Sequence, residues 1–227
     1  MMLFAVLLLV AATVLGAWAQ NVVAGRFRRF GAVPNRAGVS GAEAARAILQ
    51  ANGLEDIGIE RVQGTLSDHY DPRAKVLRLS EQVHDGRSVA AIGIAAHEAG
   101  HALQEARRYG PLALRNAAVP SARLGSMIGL PLLLLGALVG NPTLAIAGFV
   151  FYAGVVLFQL VTLPVELDAS RRALGALDGM SLVEGGEERQ GVAAVLNAAA
   201  LTYVAAALSA VALLLYYGLL IFGGRRS

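Results

Sequence analysis

Ala95-Ala96-His97-Glu98-Ala99-Gly100-His101-Ala102-Leu103-Gln104 carries a His-Glu-x-x-His motif inside a run that reads as a helix. Ser88 is placed to N-cap that helix, Val89 through Arg108 runs without proline, and Gly110-Pro111 supplies a stop. Residues four apart share a helix face, so His97 and His101 can aim their imidazoles at one divalent metal. Glu98 follows the first histidine and can take a proton from water at that metal. Two imidazoles, a carboxylate base and an open coordination position are what a zinc peptidase uses. The bland alternative is a surface helix that happens to carry these residues. The apolar neighbours Ile92, Ile94, Ala95 and Ala96 argue for burial instead. Buried imidazoles beside a carboxylate need polar partners, and a metal provides them.

Working outward, composition sets the environment. Of 227 residues, 56% are hydrophobic and 15% charged, against about 25% charged in a soluble domain. The apolar residues come in blocks, which predicts a membrane protein. The formal charge is +3, and Lys75 is the only lysine. Arginines beside apolar segments mark the cytoplasmic side of a bilayer. Nucleic-acid binding is the rival reading of a pI near 9.6, but no aromatic-basic interleaving supports it, and no nucleic-acid partner is expected. The absence of cysteine excludes disulfides, cysteine-ligated zinc and thiol catalysis.

The expected fold class is a mainly α membrane protein, with about four transmembrane helices and a small α+β zinc-peptidase domain at the membrane surface. Residues 1–24 read as an N-terminal anchor. The alternative is a cleaved secretory signal, because Ala17-Trp18-Ala19 looks like a cleavage site. Residues 25–119 form the small α+β region. There Ser40-Gly41-Ala42-Glu43 is a capping box opening a helix from Ala42 to Asn52. Alternation at Ile57, Ile59 and Arg61 suggests a strand. Leu66 to Tyr70 and Lys75 to Leu79 suggest a hairpin about Asp71-Pro72. An exposed edge of the Lys75–Leu79 strand would suit an extended peptide substrate.

Residues 120–164 read as a transmembrane hairpin broken at Asn141-Pro142. Residues 165–190 hold a helix of mixed character and a loop at Gly185-Gly186-Glu187-Glu188. Residues 191–227 hold a C-terminal apolar helix, long for one span and short for two, with Arg225-Arg226 in its tail.

A catalytic zinc takes a third protein ligand. No histidine lies downstream of His101, and His69 and His84 lie upstream. Carboxylates remain, and Glu166 and Asp168 stand just past the third span. Glu166 is preferred. The opposing reading is a solvated carboxylate at the interface, paired with Arg171 or Arg172.

Three blocks carry a resemblance. Leu66-Ser67-Asp68-His69-Tyr70-Asp71-Pro72, Ala96-His97-Glu98-Ala99-Gly100-His101-Ala102-Leu103-Gln104 and Leu163-Pro164-Val165-Glu166-Leu167-Asp168-Ala169-Ser170-Arg171-Arg172-Ala173-Leu174 resemble the signature blocks of the YugP-type bacterial membrane zinc metallopeptidases. Ser40-Gly41-Ala42-Glu43 and Ala199-Ala200-Leu201-Thr202-Tyr203-Val204 fit the same pattern. The resemblance implies a neutral zinc endopeptidase of the bacterial inner membrane, with a peptide or protein substrate and the bilayer as partners.

The site also resembles that of the HtpX-type membrane peptidases, whose second helix carries E-x-x-A-D. Glu166 and Ala169 match that pattern, and Ser170 stands where its aspartate would be. In those peptidases the aspartate supports a ligating histidine. Ser170 offers only a hydroxyl, so Asp168 or another group is expected to help. The expected roles are Zn2+ held by His97, His101 and Glu166, with Glu98 as general base and Asp168 outside the ligand set.

His69, Tyr70, Arg171, Arg172 and Tyr203 are candidate donors to a developing oxyanion, each with a structural alternative. Two other functional classes share these residues in whole or part. One is a zinc hydrolase of a non-peptide amide. The other is a non-catalytic membrane protein with a structural metal site, for which Glu98 would have no use. Ten arginines, Arg26, Arg28, Arg29, Arg36, Arg107, Arg108, Arg115, Arg123, Arg171 and Arg172, fall on one side if the chain crosses at 3–23, 121–140 and 143–163. The positive-inside rule makes that side, with the active site, cytoplasmic.

Overall fold

In the computed structural model, which describes residues 2–223, the local signals around the polar region are realised as hydrogen bonds. Ser40 Oγ accepts from Glu43 N–H, and the Glu43 carboxylate accepts from Ser40 N–H. This capping box opens α2 (Gly41–Ala51), which follows α1 (Met2–Gly31). Three strands come next: β1 (Gly58–Val62), β2 (His69–Asp71) and β3 (Val76–Ser80). The one-turn α3 (Glu81–His84) leads to α4 (Val89–Ala106). Ser88 caps α4 by accepting from Ala91 N–H. The helix stops at Arg107-Arg108, with Arg108 in the left-handed region at φ 50°.

The strands form one sheet in the order β1-β3-β2. β2 and β3 make the expected antiparallel hairpin, while β1 pairs with β3 in parallel. β3 therefore has both edges occupied. The expected docking of substrate along the Lys75–Leu79 strand is corrected: its main-chain donors and acceptors are already used by β1 and β2.

The remaining elements are α5 (Gly110–Leu124), a π-helical turn over Gly125–Gly129, α6 (Leu130–Leu138), α7 (Pro142–Gly179) and α8 (Gly185–Gly223). Among the described residues, four stretches are long and apolar enough to cross a bilayer: Val6–Gly31, Gly110–Leu138, Pro142–Gly179 and Gly185–Phe222. The protein is a mainly α membrane protein with a small α+β part. Leu7, Val14, Met127, Leu138 and Leu157 are more than half exposed, as lipid-facing side chains are.

Two features differ from expectation. The third span and the mixed helix after it are one helix, because α7 continues through Pro164. Membrane helices tolerate such a proline when neighbouring groups satisfy the freed backbone. Gly185-Gly186-Glu187-Glu188 is the first turn of α8 rather than a loop. Acidic side chains suit that position because the helix N-terminus carries partial positive charge. Through the described residues the final apolar run is one helix, and Arg225 and Arg226 lie outside them.

The chain forms two compact units. One holds Met1–Gln20, Gly110–Val165 and Leu201–Ser227, and the other Asn21–Tyr109 and Glu166–Ala200. In the first, α6 and α7 meet through small residues. A Cβ on Gly136 would lie 2.3 Å from Ala145 N, and one on Gly148 2.2 Å from Leu133 N. Glycine permits that backbone approach, the usual way apolar helices pack in lipid. Asn141 turns the hairpin, its Oδ1 accepting from Thr143 and Leu144 N–H.

In the second unit one core joins Ile48 and Leu49 of α2, Leu77 and Leu79 of β3, Ile92 and Ala99 of α4, Ala173 and Leu177 of α7, and Val192 and Leu196 of α8. That core holds the motif helix against the segment of α7 carrying Glu166.

Candidate metal centre

His97 and His101 lie one turn apart on α4, and their rings stand nearly perpendicular with centroids 4.8 Å apart. Both turn Nε2 toward one oxygen of α7. His97 Nε2 is 3.2 Å from Glu166 Oε2, and His101 Nε2 is 3.5 Å from the same atom. Glu166 is 2% exposed. Ligand atoms of these three residues lie within 4.8 Å of one another, close enough to share one metal ion.

The opposite edge of each ring is anchored. Ser170 Oγ lies 3.2 Å from His97 Nδ1, and Gln104 Oε1 lies 3.0 Å from His101 Nδ1. Gln104 is fully buried, and its Nε2–H donates to Asp168 Oδ2 at 2.9 Å. Asp168 in turn accepts from Arg172 Nε at 2.6 Å. Arg172 lies over the Tyr109 ring, 5.5 Å from its centroid.

This chain of contacts sets the His101 tautomer. An ionised carboxylate only accepts, so the Gln104 amide nitrogen must face Asp168. The amide oxygen then faces His101, which must donate from Nδ1. The neutral imidazole therefore presents a lone pair from Nε2 toward Glu166.

Two lone pairs directed at the same small volume repel unless a cation lies between them. A divalent ion satisfies that demand, and in its place a proton does. Burial lowers the His101 pKa, but the hydrogen bond to Glu166 and the carboxylates of Glu98 and Glu166 outweigh it. The pKa ends above the ordinary histidine value. Glu98 is itself buried. Among the described residues no donor hydrogen-bonds its carboxylate, so its lone pairs are available.

The other expected residues fall in different places. His69 is exposed, its Nδ1 2.8 Å from Ser67 O. The Tyr70 hydroxyl donates to Glu105 at 2.6 Å, joining β2 to α4. Arg171 is largely exposed, and Arg172 is engaged with Asp168. Tyr203, on α8, belongs to the other compact unit. The arginine partner considered for Glu166 goes to Asp168 instead. Sequence reasoning assigned no role to Gln104. Its position three residues after His101 was the available signal, since i and i+3 share a helix face.

Residues 5–222 match the family described as "Putative neutral zinc metallopeptidase". The chain belongs to that family. It is 46% identical over 224 residues to "Putative membrane protease YugP" of Bacillus subtilis (strain 168), with 99% of each chain covered. No solved structure matches the chain. Membership in the neutral zinc metallopeptidase family agrees with the donor set: two imidazoles and one carboxylate, without sulfur, form the three-ligand arrangement of a catalytic zinc. For this family member, zinc is the cofactor that His97, His101 and Glu166 are positioned to hold.

Proposed function

We propose that the protein is a membrane-embedded zinc endopeptidase that cleaves membrane or membrane-adjacent proteins. The observation that carries this reading is the convergence of His97 Nε2, His101 Nε2 and Glu166 Oε2, with Glu98 buried beside them and without a hydrogen-bond donor among the described residues.

Zinc held by these three atoms supplies Lewis acidity, lowering the pKa of water toward about 7 and polarising a carbonyl. Each residue has a definable task. Glu98 accepts the proton of the attacking water on a carboxylate oxygen and delivers it to the leaving amine nitrogen. Ser170 and Gln104 hold the two Nδ1 edges, which keeps both Nε2 lone pairs directed inward. Asp168 and Arg172 hold Gln104. Glu166 contributes negative charge that lowers the net charge of the centre.

The arginine distribution supports a cytoplasmic site. If Gly110–Val165 leaves and re-enters the bilayer as a hairpin, residues 21–109 and 166–200 share a side. Eight of the ten arginines counted above lie in those segments and share it, while Arg115 and Arg123 lie within the hairpin itself. The bacterial inner membrane is the setting such a distribution implies.

Glu98→Gln tests the reading. The amide keeps the shape of the side chain but cannot take the proton. Peptide cleavage by the purified protein is expected to vanish while zinc stays near wild-type stoichiometry. His97→Ala and His101→Ala are expected to lose both. Substantial cleavage by Glu98→Gln would remove Glu98 as the base, and wild-type protein that binds zinc yet cleaves no peptide would point to a different amide substrate.

A further inference from the structure

The end of α1, the segment after it and the start of α8 enclose an open cavity of about 560 Å³ that the peptidase reading does not use. Three of its lining residues are Arg26, Arg29 and Arg36. Arg26 and Arg29 are three apart, so they share a face of α1. Among the described residues, none of these three guanidinium groups has a carboxylate partner. This contrasts with Arg61, Arg78, Arg87, Arg172 and Arg189, each of which does.

Two acidic residues also line the cavity, so three guanidinium groups face two carboxylates. Glu188 is buried, and its carboxylate is occupied by backbone: Oε1 accepts from Arg36 N–H at 3.0 Å and Oε2 from Glu184 N–H at 2.8 Å. Glu187 is exposed, and the two carboxylates together offset two of the three positive charges. The surplus is positive, and the N-terminus of the 39-residue α8 adds to it. Phe30 and Val33 give the cavity an apolar side.

Location narrows the occupant. Arg26 and Arg29 stand in the last turns of a membrane-spanning helix, and the cavity's other wall opens a second spanning helix. Surplus guanidinium charge beside apolar side chains, at the end of a helix long and apolar enough to cross a bilayer, matches a phosphate ester attached to acyl chains. We propose that this cavity binds the headgroup phosphate of an anionic glycerophospholipid.

The alternative is that these arginines only snorkel to the interface without a specific ligand. A charge-matched comparison separates the two. Full-length protein in neutral detergent is titrated with phosphatidylglycerol or phosphatidylcholine, and bound lipid is counted by native mass spectrometry. Wild type is expected to retain one phosphatidylglycerol in preference to phosphatidylcholine. Arg26→Gln/Arg29→Gln is expected to lose that preference by about fivefold per arginine.

Arg28→Gln/Arg73→Gln removes the same charge outside this cavity and is expected to keep the preference. Equal losses in the two double variants would overturn the proposal in favour of general surface charge. Retention of the preference in Arg26→Gln/Arg29→Gln would also overturn it. Full displacement of the lipid by millimolar inorganic phosphate would overturn the lipid assignment and make the ligand free phosphate. Should the double variant aggregate, Arg36→Gln replaces it, with a loss of about fivefold expected and an unchanged preference overturning the proposal.

Discussion

Gly100 of α4 lies directly against the main chain of Ala169 in α7: a Cβ on Gly100 would sit 2.6 Å from the Ala169 carbonyl oxygen. That contact sets the separation of the two helices one residue from His101 and three from Glu166. The two histidines and Glu166 come from different helices, so the spacing of the metal centre depends on this approach.

Gly100→Ala should therefore open the site. The added methyl meets backbone, which cannot rotate away, so α4 and α7 must move apart. Overpacking of this kind costs about 1–3 kcal/mol. A displacement on the order of 1 Å lowers activity by about 100-fold. Gly175→Ala is the control, since nothing lies within 4 Å of its would-be Cβ. That change on an exposed helical position should be neutral or stabilising by about 0.5–1 kcal/mol. Thermal unfolding and peptide cleavage, measured on both variants, check the pair of outcomes.

The carboxylates of α7 should separate by role. Glu166→Gln removes a ligand oxygen's charge and is expected to weaken zinc retention more than Asp168→Asn. Gln104→Ala leaves the His101 Nδ1–H without its acceptor, and a loss of about 10- to 100-fold in zinc affinity is expected. Competition with a chromophoric chelator measures all three without reference to activity. Metal content in Glu166→Gln equal to wild type would reject Glu166 as a ligand.

The raised His101 pKa gives opposite pH slopes with and without metal. In the metal-free protein the folded state binds this proton more tightly than the unfolded state does. Its contribution is complete below the ordinary histidine pKa of about 6.5 and is lost as pH rises through the higher folded value. Zinc needs the neutral ring, so its apparent affinity rises with pH over the same window and levels off above it. Thermal unfolding from slightly acid to alkaline pH, in chelator and in excess zinc, should show the two trends diverging. Parallel trends would remove His101 from the ligand set.

Crossing of the bilayer is testable by reporter fusion. A fusion after Gln63 is expected to behave as cytoplasmic and one in the Asn141-Pro142 turn as external. An external signal at Gln63 would reverse the orientation and bring back the secretory-signal reading of the N-terminus.

Much of this protein is legible in its sequence because the relevant information is local. The motif helix follows from a cap at Ser88, an unbroken run and four-residue histidine spacing, all within one segment. The spans follow from length and composition, since an apolar run in lipid has little choice but to close its backbone hydrogen bonds as a helix. The capping box at Ser40 and the β2–β3 hairpin are likewise decided by neighbouring residues.

Tertiary structure decided what depends on distant segments meeting. Nothing local to Lys75–Leu79 announced that β1 would cover its second edge, because strand pairing is a choice of partner. Nothing near Pro164 announced that α7 would continue through it. The sequence favoured Glu166 over Asp168 for the third metal-binding position without a geometric reason, because the two stand two residues apart on one helix. The packing of α7 on α4 supplies that reason. It buries Glu166 against both Nε2 atoms and turns Asp168 toward Gln104 and Arg172, because residues two apart on a helix point in different directions and the close approach at Gly100 selects which one faces the histidines.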